Sequence, residues 1–324
     1  MKQVLEPISV VGLGTMGTGI AFVMAQLDMN VRVFDKSPAI IDRSISGLVK
    51  RVQEGIDRGY LTENANKSLG RIEAACSIET AVSGSGLILE AVFEHLDTKK
   101  QVLGEISRFA PDTSVIASNT SAFPIDTLAD FVSFPDRFLG VHFFNPAEWI
   151  PGIEVIPGSQ TADHLVSAVS NLLERAGRKP VKVASSPGFV ANRLQFALLV
   201  EAMNCVEDGI ATLEDVDAIV RSTFGFRLAA FGPFAIADMA GLDVCASILK
   251  TLETGLGSRF AAPDLLASLV RGGRLGVKSG SGFREYSERE VGELVKYRDD
   301  VFSSLNELFQ EANLGERITP RRPT

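Results

Sequence analysis

Short apolar runs alternate with amphipathic segments along roughly the first 185 residues of this chain. The apolar runs have the length and branched side chains of buried strands, and the segments between them keep helical spacing of their apolar positions. This alternation predicts an α/β fold with a doubly wound, mostly parallel sheet. The predicted strands cover residues 8–11, 31–34, 86–89, 114–117, 138–141, 153–156 and 181–183.

The pattern changes to helices alone after the Pro187-Gly188 pair, which is a natural boundary. We therefore expect one domain over residues 1–186, with a helical hairpin inserted near 39–71, and an all-α domain over 187–324. Its apolar faces favour a homodimer. Residues 319–324 are expected to form a mobile tail. The predicted C-terminal helices cover residues 189–209, 213–223, 234–252 and 288–311.

The first strand runs directly into a Gly-x-Gly-x-x-Gly pattern made by Gly12, Gly14 and Gly17. The first glycine permits a tight turn, the second lets a pyrophosphate approach the backbone, and the third allows close packing of helix on strand. Asp35 ends the second strand, where a carboxylate binds the adenosine ribose and repels a 2′-phosphate. The pattern predicts a site for NAD rather than NADP; the alternative is a turn that merely joins strand to helix.

Composition narrows the class of protein. The chain has 324 residues, of which 45% are hydrophobic and 22% charged, as expected of a soluble two-domain enzyme. A net charge of −8 argues against nucleic acid as a partner, and no apolar run is long enough for a membrane span. The three scattered cysteines indicate neither disulfides nor a metal site, and we expect them to be core thiols. Since no cationic leader is evident, the expected location is the cytoplasm.

Seven further motifs follow the glycine pattern in a fixed order. They lie at residues 90–94, 118–121, 142–146, 187–193, 232–234, 241–243 and 278–283. With these motifs the chain resembles the NAD-dependent 3-hydroxyacyl-CoA dehydrogenase family over nearly its whole length. The resemblance implies a Rossmann-type NAD-binding domain, an all-α C-terminal dimerisation domain, an active site in the cleft between them, and the L (S) alcohol as substrate.

A histidine and a glutamate stand out by their positions on predicted strands. His142 follows an apolar run at the carboxyl end of a strand, where ligands of such sheets collect. An imidazole, which ordinarily titrates near pH 6.5, suits the removal of a hydroxyl proton near neutral pH. Glu154 interrupts the next apolar run, and pairing with His142 would offset the cost of burying its carboxylate. The family assigns these residues as general base and partner; the alternative is a structural histidine and an edge-strand glutamate.

The resemblance assigns further site residues. Ser121 would hydrogen-bond the reacting oxygen and Asn192 would help fix the substrate and His142. The alternatives are that Ser121 caps the helix starting near Pro124 and that Asn192 only satisfies backbone groups. Glu94, Lys99 and Asn145 match positions that contact NAD, although Lys99 also fits a solvated helix face.

Substrate identity depends on two segments. In the family, basic side chains of the hairpin meet CoA, and Arg51 and Arg58 lie there; solvated helix charges would explain them equally well. The loop at residues 145–152 departs from the acyl-CoA enzymes, which usually carry a Met-Lys-Leu-like segment before the matching glutamate. Its Ile150-Pro151 is closer to relatives that act on free polar acids, and Trp149 either walls a substrate pocket or fills the core.

Three hypotheses follow. The first is an NAD-dependent interconversion of (3S)-3-hydroxyacyl-CoA and 3-ketoacyl-CoA. The second keeps the fold and hydride transfer but takes a free small hydroxy acid or aldehyde, as do L-gulonate, carnitine and pyridine-carboxylate dehydrogenases. The third is a non-catalytic, crystallin-like NAD-binding protein.

Overall fold

The computed structural model of the chain describes residues 5–312, with side chains described through residue 310. The predicted tail at 319–324 lies outside this range. The described residues form two compact units that divide at 198/199, inside one helix. We describe each unit by itself, and the domain boundary at 186/187 stays a prediction.

The first unit contains one eight-stranded sheet with the order β3-β2-β1-β4-β5-β6-β7-β8. All neighbouring strands are parallel except β6 and β7, which form an antiparallel pair because a short loop rather than a helix joins them. Strand order reverses between β1 and β4, which is where ligands of such sheets bind. The strands are β1 (Ile8–Val11), β2 (Val31–Phe34), β3 (Ile72–Ala74), β4 (Leu87–Glu90), β5 (Val115–Ser118), β6 (Phe138–Phe143), β7 (Gly152–Pro157) and β8 (Lys179–Lys182).

Helices cover both faces of the sheet. One core lies between the sheet and helices α1 and α7, and a second lies on the opposite face against α4, α5 and α6. A small third cluster joins Phe22 of α1 to the inserted hairpin formed by α2 and α3. The helices of this unit are α1 (Thr15–Ala25), α2 (Pro38–Asp57), α3 (Asn64–Leu69), α4 (Ile78–Val82), α5 (Leu96–Phe109), α6 (Ile125–Ala129) and α7 (Asp163–Arg175), and α8 (Ala191–Glu207) begins in it.

The predicted doubly wound sheet is confirmed, with two differences at its edges. Strand β3 was not predicted because Ile72–Ala74 is only three residues long and has a glutamate at its centre. Strand β8 begins at Lys179, two residues before the predicted run. Both are edge strands, where one side of the ladder faces solvent and apolar periodicity is weak.

The second unit is entirely helical apart from isolated bridges near its carboxyl end. The predicted single helix over 234–252 is wrong, because the chain breaks at Gly241, whose φ of +98° is outside helical geometry. Asp238, which is 1% exposed, accepts hydrogen bonds from the Phe283 and Arg284 amides and from the Tyr286 hydroxyl.

The helices of the second unit that follow α8 are α9 (Leu213–Ser222), α10 (Phe224–Leu228), α11 (Pro233–Ala240), α12 (Leu242–Leu256), α13 (Asp264–Arg271) and α14 (Glu288–Ala312).

Three further features concern the whole described range. Among residues 5–312, no helix has the length and apolar character needed to cross a bilayer. Within the same range, no group of three or more His, Cys, Asp or Glu residues is arranged to hold a metal ion. The expectation of core thiols is wrong for Cys76, which is exposed, while Cys205 and Cys245 are partly buried; all three are free.

Candidate active site

The glycine turn after β1 is shaped by close contacts at two positions and open space at the third. Gly12 has a φ of +95°, and a Cβ there would lie 2.7 Å from the Ala91 carbonyl oxygen. A Cβ at Gly17 would overlap the carbonyl oxygen of Gly12. In contrast, a Cβ at Gly14 would meet no atom within 4 Å. The backbone at Gly14 is therefore accessible to a bulky phosphate group, at the start of α1 with its free amides.

Asp35 lies just after β2 and is held rigidly. One oxygen of its carboxylate accepts a hydrogen bond from the Leu13 amide at 3.0 Å, and the other accepts from the Ser37 amide at 3.1 Å. These bonds place a carboxylate next to the glycine turn, as a ribose-binding residue requires. The open backbone at Gly14 and the oriented Asp35 carboxylate together fit the pyrophosphate and adenosine ribose of NAD.

His142 and Glu154 face each other directly across the antiparallel pair β6 and β7. The Nδ1 atom of His142 lies 2.8 Å from Oε2 of Glu154, and the two residues are only 3% and 6% exposed. Since a carboxylate only accepts hydrogen bonds, the proton of the neutral imidazole is held on Nδ1. Phe144, with its ring centre 4.4 Å from that of His142, packs beside the imidazole. Because the proton is on Nδ1, the Nε2 atom of His142 keeps its lone pair available for another proton.

The second oxygen of Glu154 is bound at the start of α8. Oε1 accepts hydrogen bonds from the Val190 and Ala191 amides at 2.9 and 3.0 Å. A carboxylate at a helix N-terminus satisfies unpaired amides and interacts favourably with the helix dipole. Glu154 therefore fixes the His142 ring relative to the first turn of α8.

The same turn of α8 reaches the loop after β5. The side-chain amide of Asn192 donates a hydrogen bond to the Ser121 carbonyl oxygen at 3.0 Å. Ser121 does not cap α6, because Ser185 Oγ accepts the hydrogen bond from the Ile125 amide at its start. The structure thus joins His142, Glu154, Asn192 and Ser121 through the first turn of α8.

Of the three residues matched to NAD contacts, Lys99 and Glu94 belong to one ionic cluster, in which Lys99 is buried and Glu94 is partly exposed. Lys99 is fully buried, so the alternative of a solvated helix face is wrong. Its ammonium lies 3.2 Å from Glu94 and 2.9 Å from Glu90, a residue that sequence reasoning missed. The available signal was a carboxylate at the end of an apolar strand, as for Glu154. Asn145 is exposed two residues after the end of β6.

The loop between β6 and β7 is docked on the hairpin helix α2. Arg51 Nε lies 3.4 Å from the Glu148 carboxylate, a partner that the sequence did not indicate. Trp149 is 53% exposed and meets Tyr60 edge to face with ring centres 6.0 Å apart, so it does not fill the core. A small cavity of about 50 Å³ is lined by Arg51, Glu148 and Trp149 together with side chains of α1 and α2. Arg58 is exposed at the end of α2.

Comparison with known families matches almost the whole described chain. Residues 7–186 match the model of the 3-hydroxyacyl-CoA dehydrogenase NAD binding domain, and residues 188–286 match that of the 3-hydroxyacyl-CoA dehydrogenase C-terminal domain. The order of the two domains is that of the motifs described above.

Individual relatives agree with the family models. A probable 3-hydroxybutyryl-CoA dehydrogenase of Bacillus subtilis is 35% identical over 287 residues, which are 88% of this chain and 99% of the relative. A 5-formyl-3-hydroxy-2-methylpyridine 4-carboxylate 5-dehydrogenase of Mesorhizobium japonicum is also 35% identical, over 89% of this chain and 93% of the relative. The crystal structure of a 3-hydroxyacyl-CoA dehydrogenase from Archaeoglobus fulgidus superposes with a TM-score of 0.76 at 30% identity, covering 92% of this chain and 98% of that one. The chain therefore belongs to the 3-hydroxyacyl-CoA dehydrogenase family and is an NAD-dependent dehydrogenase that acts on a CH–OH group.

Proposed function

We propose that the protein interconverts (3S)-3-hydroxyacyl-CoA and 3-ketoacyl-CoA, with His142 as the general acid–base. The observation that carries this proposal is the buried pair of His142 and Glu154, which are 2.8 Å apart. Before the reaction begins, a general base must carry no proton on the atom that will accept the substrate proton. The hydrogen bond from Nδ1 to Glu154 meets this requirement, because it leaves the Nε2 lone pair free.

In the oxidation direction, Nε2 of His142 takes the proton of the substrate hydroxyl group. The imidazole then carries a positive charge, and the adjacent Glu154 carboxylate stabilises it. Because the second oxygen of Glu154 is held by the Val190 and Ala191 amides, the ring cannot turn away from the substrate as its charge changes. In the reduction direction the same nitrogen returns the proton.

Ser121 and Asn192 are proposed to hold the reacting oxygen. The Asn192 side chain is anchored on the Ser121 carbonyl oxygen, so the two residues keep a fixed separation. The Ser121 hydroxyl makes no hydrogen bond to another residue in the described part of the chain. It is therefore available to a ligand.

The residues proposed to bind NAD are those of the glycine turn together with Asp35, Glu94 and Asn145. Lys99, which the resemblance also matches to a cofactor contact, has no exposed side-chain surface and would act on NAD only through Glu94. NAD, when bound, supplies the acceptor for the hydride that leaves the carbinol carbon. Gly14 and the start of α1 would hold the pyrophosphate, and Asp35 would hold the adenosine ribose. The oriented Asp35 carboxylate would repel a 2′-phosphate at this position.

The thioester substrate is supported by the names of several relatives, which are 3-hydroxybutyryl-CoA dehydrogenases. Arg51 and Arg58 of the inserted hairpin are proposed to contact the CoA phosphates. Both guanidinium groups are solvent-accessible, as an electrostatic contact with a large anionic ligand requires.

A second candidate substrate is a free small hydroxy acid or aldehyde. It is favoured by the ion pair between Arg51 and Glu148. Arg51 is one of the two arginines proposed to bind the CoA phosphates, and here its charge is paired with a carboxylate of the protein. A relative of equal identity, the Mesorhizobium enzyme, is named for a pyridine carboxylate. In this case the exposed Trp149 would form part of the wall for the smaller substrate.

The deciding experiment is NADH oxidation with acetoacetyl-CoA, beside free acetoacetate and with NADPH as a control. Rapid turnover of the thioester alone supports the first candidate. If the protein binds NADH but does not oxidise it with the thioester, the first candidate is contradicted. Free polar acids should then be tested as substrates. Arg58→Ala should raise the KM for the thioester with little change in kcat if Arg58 binds CoA in both the ground and the transition state.

The oligomer is proposed to be a homodimer formed through the C-terminal half. Six large apolar side chains of α8 are exposed on a single chain, which is unusual for a soluble monomer. They are Leu194, Phe196, Leu198, Leu199, Val200 and Met203. Light scattering should report a dimer for the wild type and a smaller species for Phe196→Asp; a monomeric wild type would contradict the proposal.

A further inference from the structure

A buried carboxylate and a buried ammonium group lie together near the carboxyl ends of β4 and β5, with a second, partly exposed carboxylate beside them. Glu90 and Lys99 have no exposed side-chain surface. The Lys99 Nζ atom lies 2.9 and 3.1 Å from the two oxygens of Glu90, and 3.2 Å from Glu94 Oε2. Such burial is costly unless every charge is paired and hydrogen-bonded. The geometry of this cluster is therefore tightly constrained.

One set of hydrogen bonds leads from Glu90 to the last residue of β5 and the loop that follows it. Glu90 Oε2 accepts a hydrogen bond from the Ser118 hydroxyl at 2.6 Å. The Ser118 oxygen in turn accepts one from the Thr120 amide at 3.3 Å. The carboxylate of Glu90 thus orients the backbone immediately before Ser121.

A second set leads from Lys99 through Glu94 to the same loop. Glu94 Oε1 accepts hydrogen bonds from the Thr120 hydroxyl at 2.5 Å and from the Ser121 and Ala122 amides at 2.9 and 3.0 Å. Burial raises the pKa of Glu94, but these hydrogen bonds and the charge of Lys99 outweigh it and hold the pKa below its usual value. Glu94 is thereby kept as the carboxylate that the three donors require.

We propose that Glu90 and Lys99 are positioning residues that set the place of the Ser121 hydroxyl through Glu94 and Ser118. The inference rests on the proposed role of Ser121 in holding the reacting oxygen. Lys99 acts through Glu94, since its ammonium is enclosed by the two carboxylates.

The kinetic test compares Glu90→Gln and Lys99→Met with the wild type, using acetoacetyl-CoA and NADH. A displaced hydroxyl should lower kcat by about 10- to 100-fold, because misplacement of about 1 Å has effects of this size. The KM for NADH is compared in Glu90→Gln only, since Lys99→Met also releases Glu94, which is proposed to contact NAD. It should not change in Glu90→Gln, because the Glu90 side chain is fully buried, and a raised KM would indicate a role in cofactor binding instead. Lys100→Met, which removes the exposed neighbouring lysine, is the matched control and should behave as the wild type.

A double-mutant cycle separates positioning from a general structural role. If Glu90 acts by placing the Ser121 hydroxyl, Glu90→Gln should have little further effect on kcat in a Ser121→Ala background. An equal loss of kcat in both backgrounds would overturn the inference. Should Lys99→Met fail to fold, Ser118→Ala replaces it, since this change breaks the first set of bonds without leaving a buried charge unpaired.

Hydrogen exchange provides a measurement that does not depend on activity. In Glu90→Gln and Lys99→Met, the Ser121 and Ala122 amides should exchange faster, while the amides of α14 keep their wild-type rates. Unchanged exchange at residues 118–122 would contradict the inference. If exchange responds as expected but the wild type does not turn over acetoacetyl-CoA, the proposed substrate fails and the positioning of the loop stands.

Discussion

His142 and Glu154 lie directly opposite each other on neighbouring antiparallel strands, and Nδ1 of the first is 2.8 Å from Oε2 of the second. Opposite residues of such a pair always project to the same face of the sheet. The register of β6 and β7 therefore creates this pair, and the amides at the start of α8 fix its orientation. The two residues are twelve positions apart in the chain, and the hairpin formed by β6 and β7 brings them together.

The first prediction concerns His142→Gln. Removal of the proposed general base should lower kcat on the order of 10²–10⁴-fold, while NAD affinity stays near the wild-type value. The measurement is NADH turnover together with NADH binding. His164→Gln changes an exposed histidine of α7 and should leave both unaffected. Near-normal turnover of His142→Gln would rule out the proposed role.

Glu154→Gln tests the orientation of the imidazole. The amide oxygen of glutamine can still accept from Val190 and Ala191, but its NH2 group then faces Nδ1 of His142. The imidazole proton must move to Nε2, which can no longer act as a base. We expect a loss of kcat on the order of 10²–10⁴-fold with little loss of stability.

Glu154→Ala is the companion variant. It also leaves the two amides at the start of α8 without their acceptor, so unfolding by urea should show a loss of about 1–3 kcal/mol. Full activity in Glu154→Gln, or equal stability of Glu154→Ala and the wild type, would contradict this account.

Two glycines of the cofactor turn should respond differently to the same change. Gly17→Ala brings a Cβ against the Gly12 carbonyl oxygen and should destabilise the fold. Gly14→Ala meets no neighbouring atom and has an ordinary φ of −65°, so stability should be retained. Its methyl group would occupy the approach of the pyrophosphate, and NADH affinity should fall at least about tenfold, or ~1.4 kcal/mol. Thermal unfolding and NADH titration distinguish the two effects; equal behaviour of the variants would refute the prediction.

The Tyr286 hydroxyl donates to the buried Asp238 in the C-terminal unit. Burial, followed by the hydrogen bond and the charge of Asp238, raises the pKa of Tyr286 from 10.0 to about 12. The neutral phenol is thus favoured by folding, so its stabilising contribution is complete below pH 10 and disappears as the pH rises toward 12.

Tyr286→Phe should therefore lower the free energy of unfolding by about 1.5–3 kcal/mol at neutral pH, since one hydrogen bond to a charged group is lost. The difference from the wild type should narrow above pH 10. Urea unfolding at several pH values measures both effects, with the exposed Tyr60→Phe as the control. A difference in the free energy of unfolding that grows with pH would contradict the predicted direction of this pH dependence.

Much of the fold follows from local pattern. The strand before Gly12, the strand that ends at Asp35 and the helices of the hairpin were predictable, because each has strong periodicity and clear turn residues. The break at Gly241 was not, since one glycine inside an apolar stretch is compatible with either a continuous helix or two helices.

The site was predictable where polar residues interrupt apolar strands. His142 and Glu154 were identified in this way, and the same signal is present at Glu90, which was overlooked. The burial of Lys99 was hidden because its neighbours Thr98 and Lys100 are polar, and only the packing of α5 against the sheet shows which of them faces inward.

The sequence by itself determined the doubly wound sheet, the glycine turn for NAD and the family, since these depend on residue order and short-range spacing. Tertiary structure alone decided that Glu94 holds the Ser121 loop, that Asn192 reaches the Ser121 carbonyl and that Arg51 pairs with Glu148. These partners are 27, 71 and 97 residues apart in the chain. Hydrogen bonds and ion pairs over such separations arise only when the packing of helices on the sheet brings strand ends and loops together.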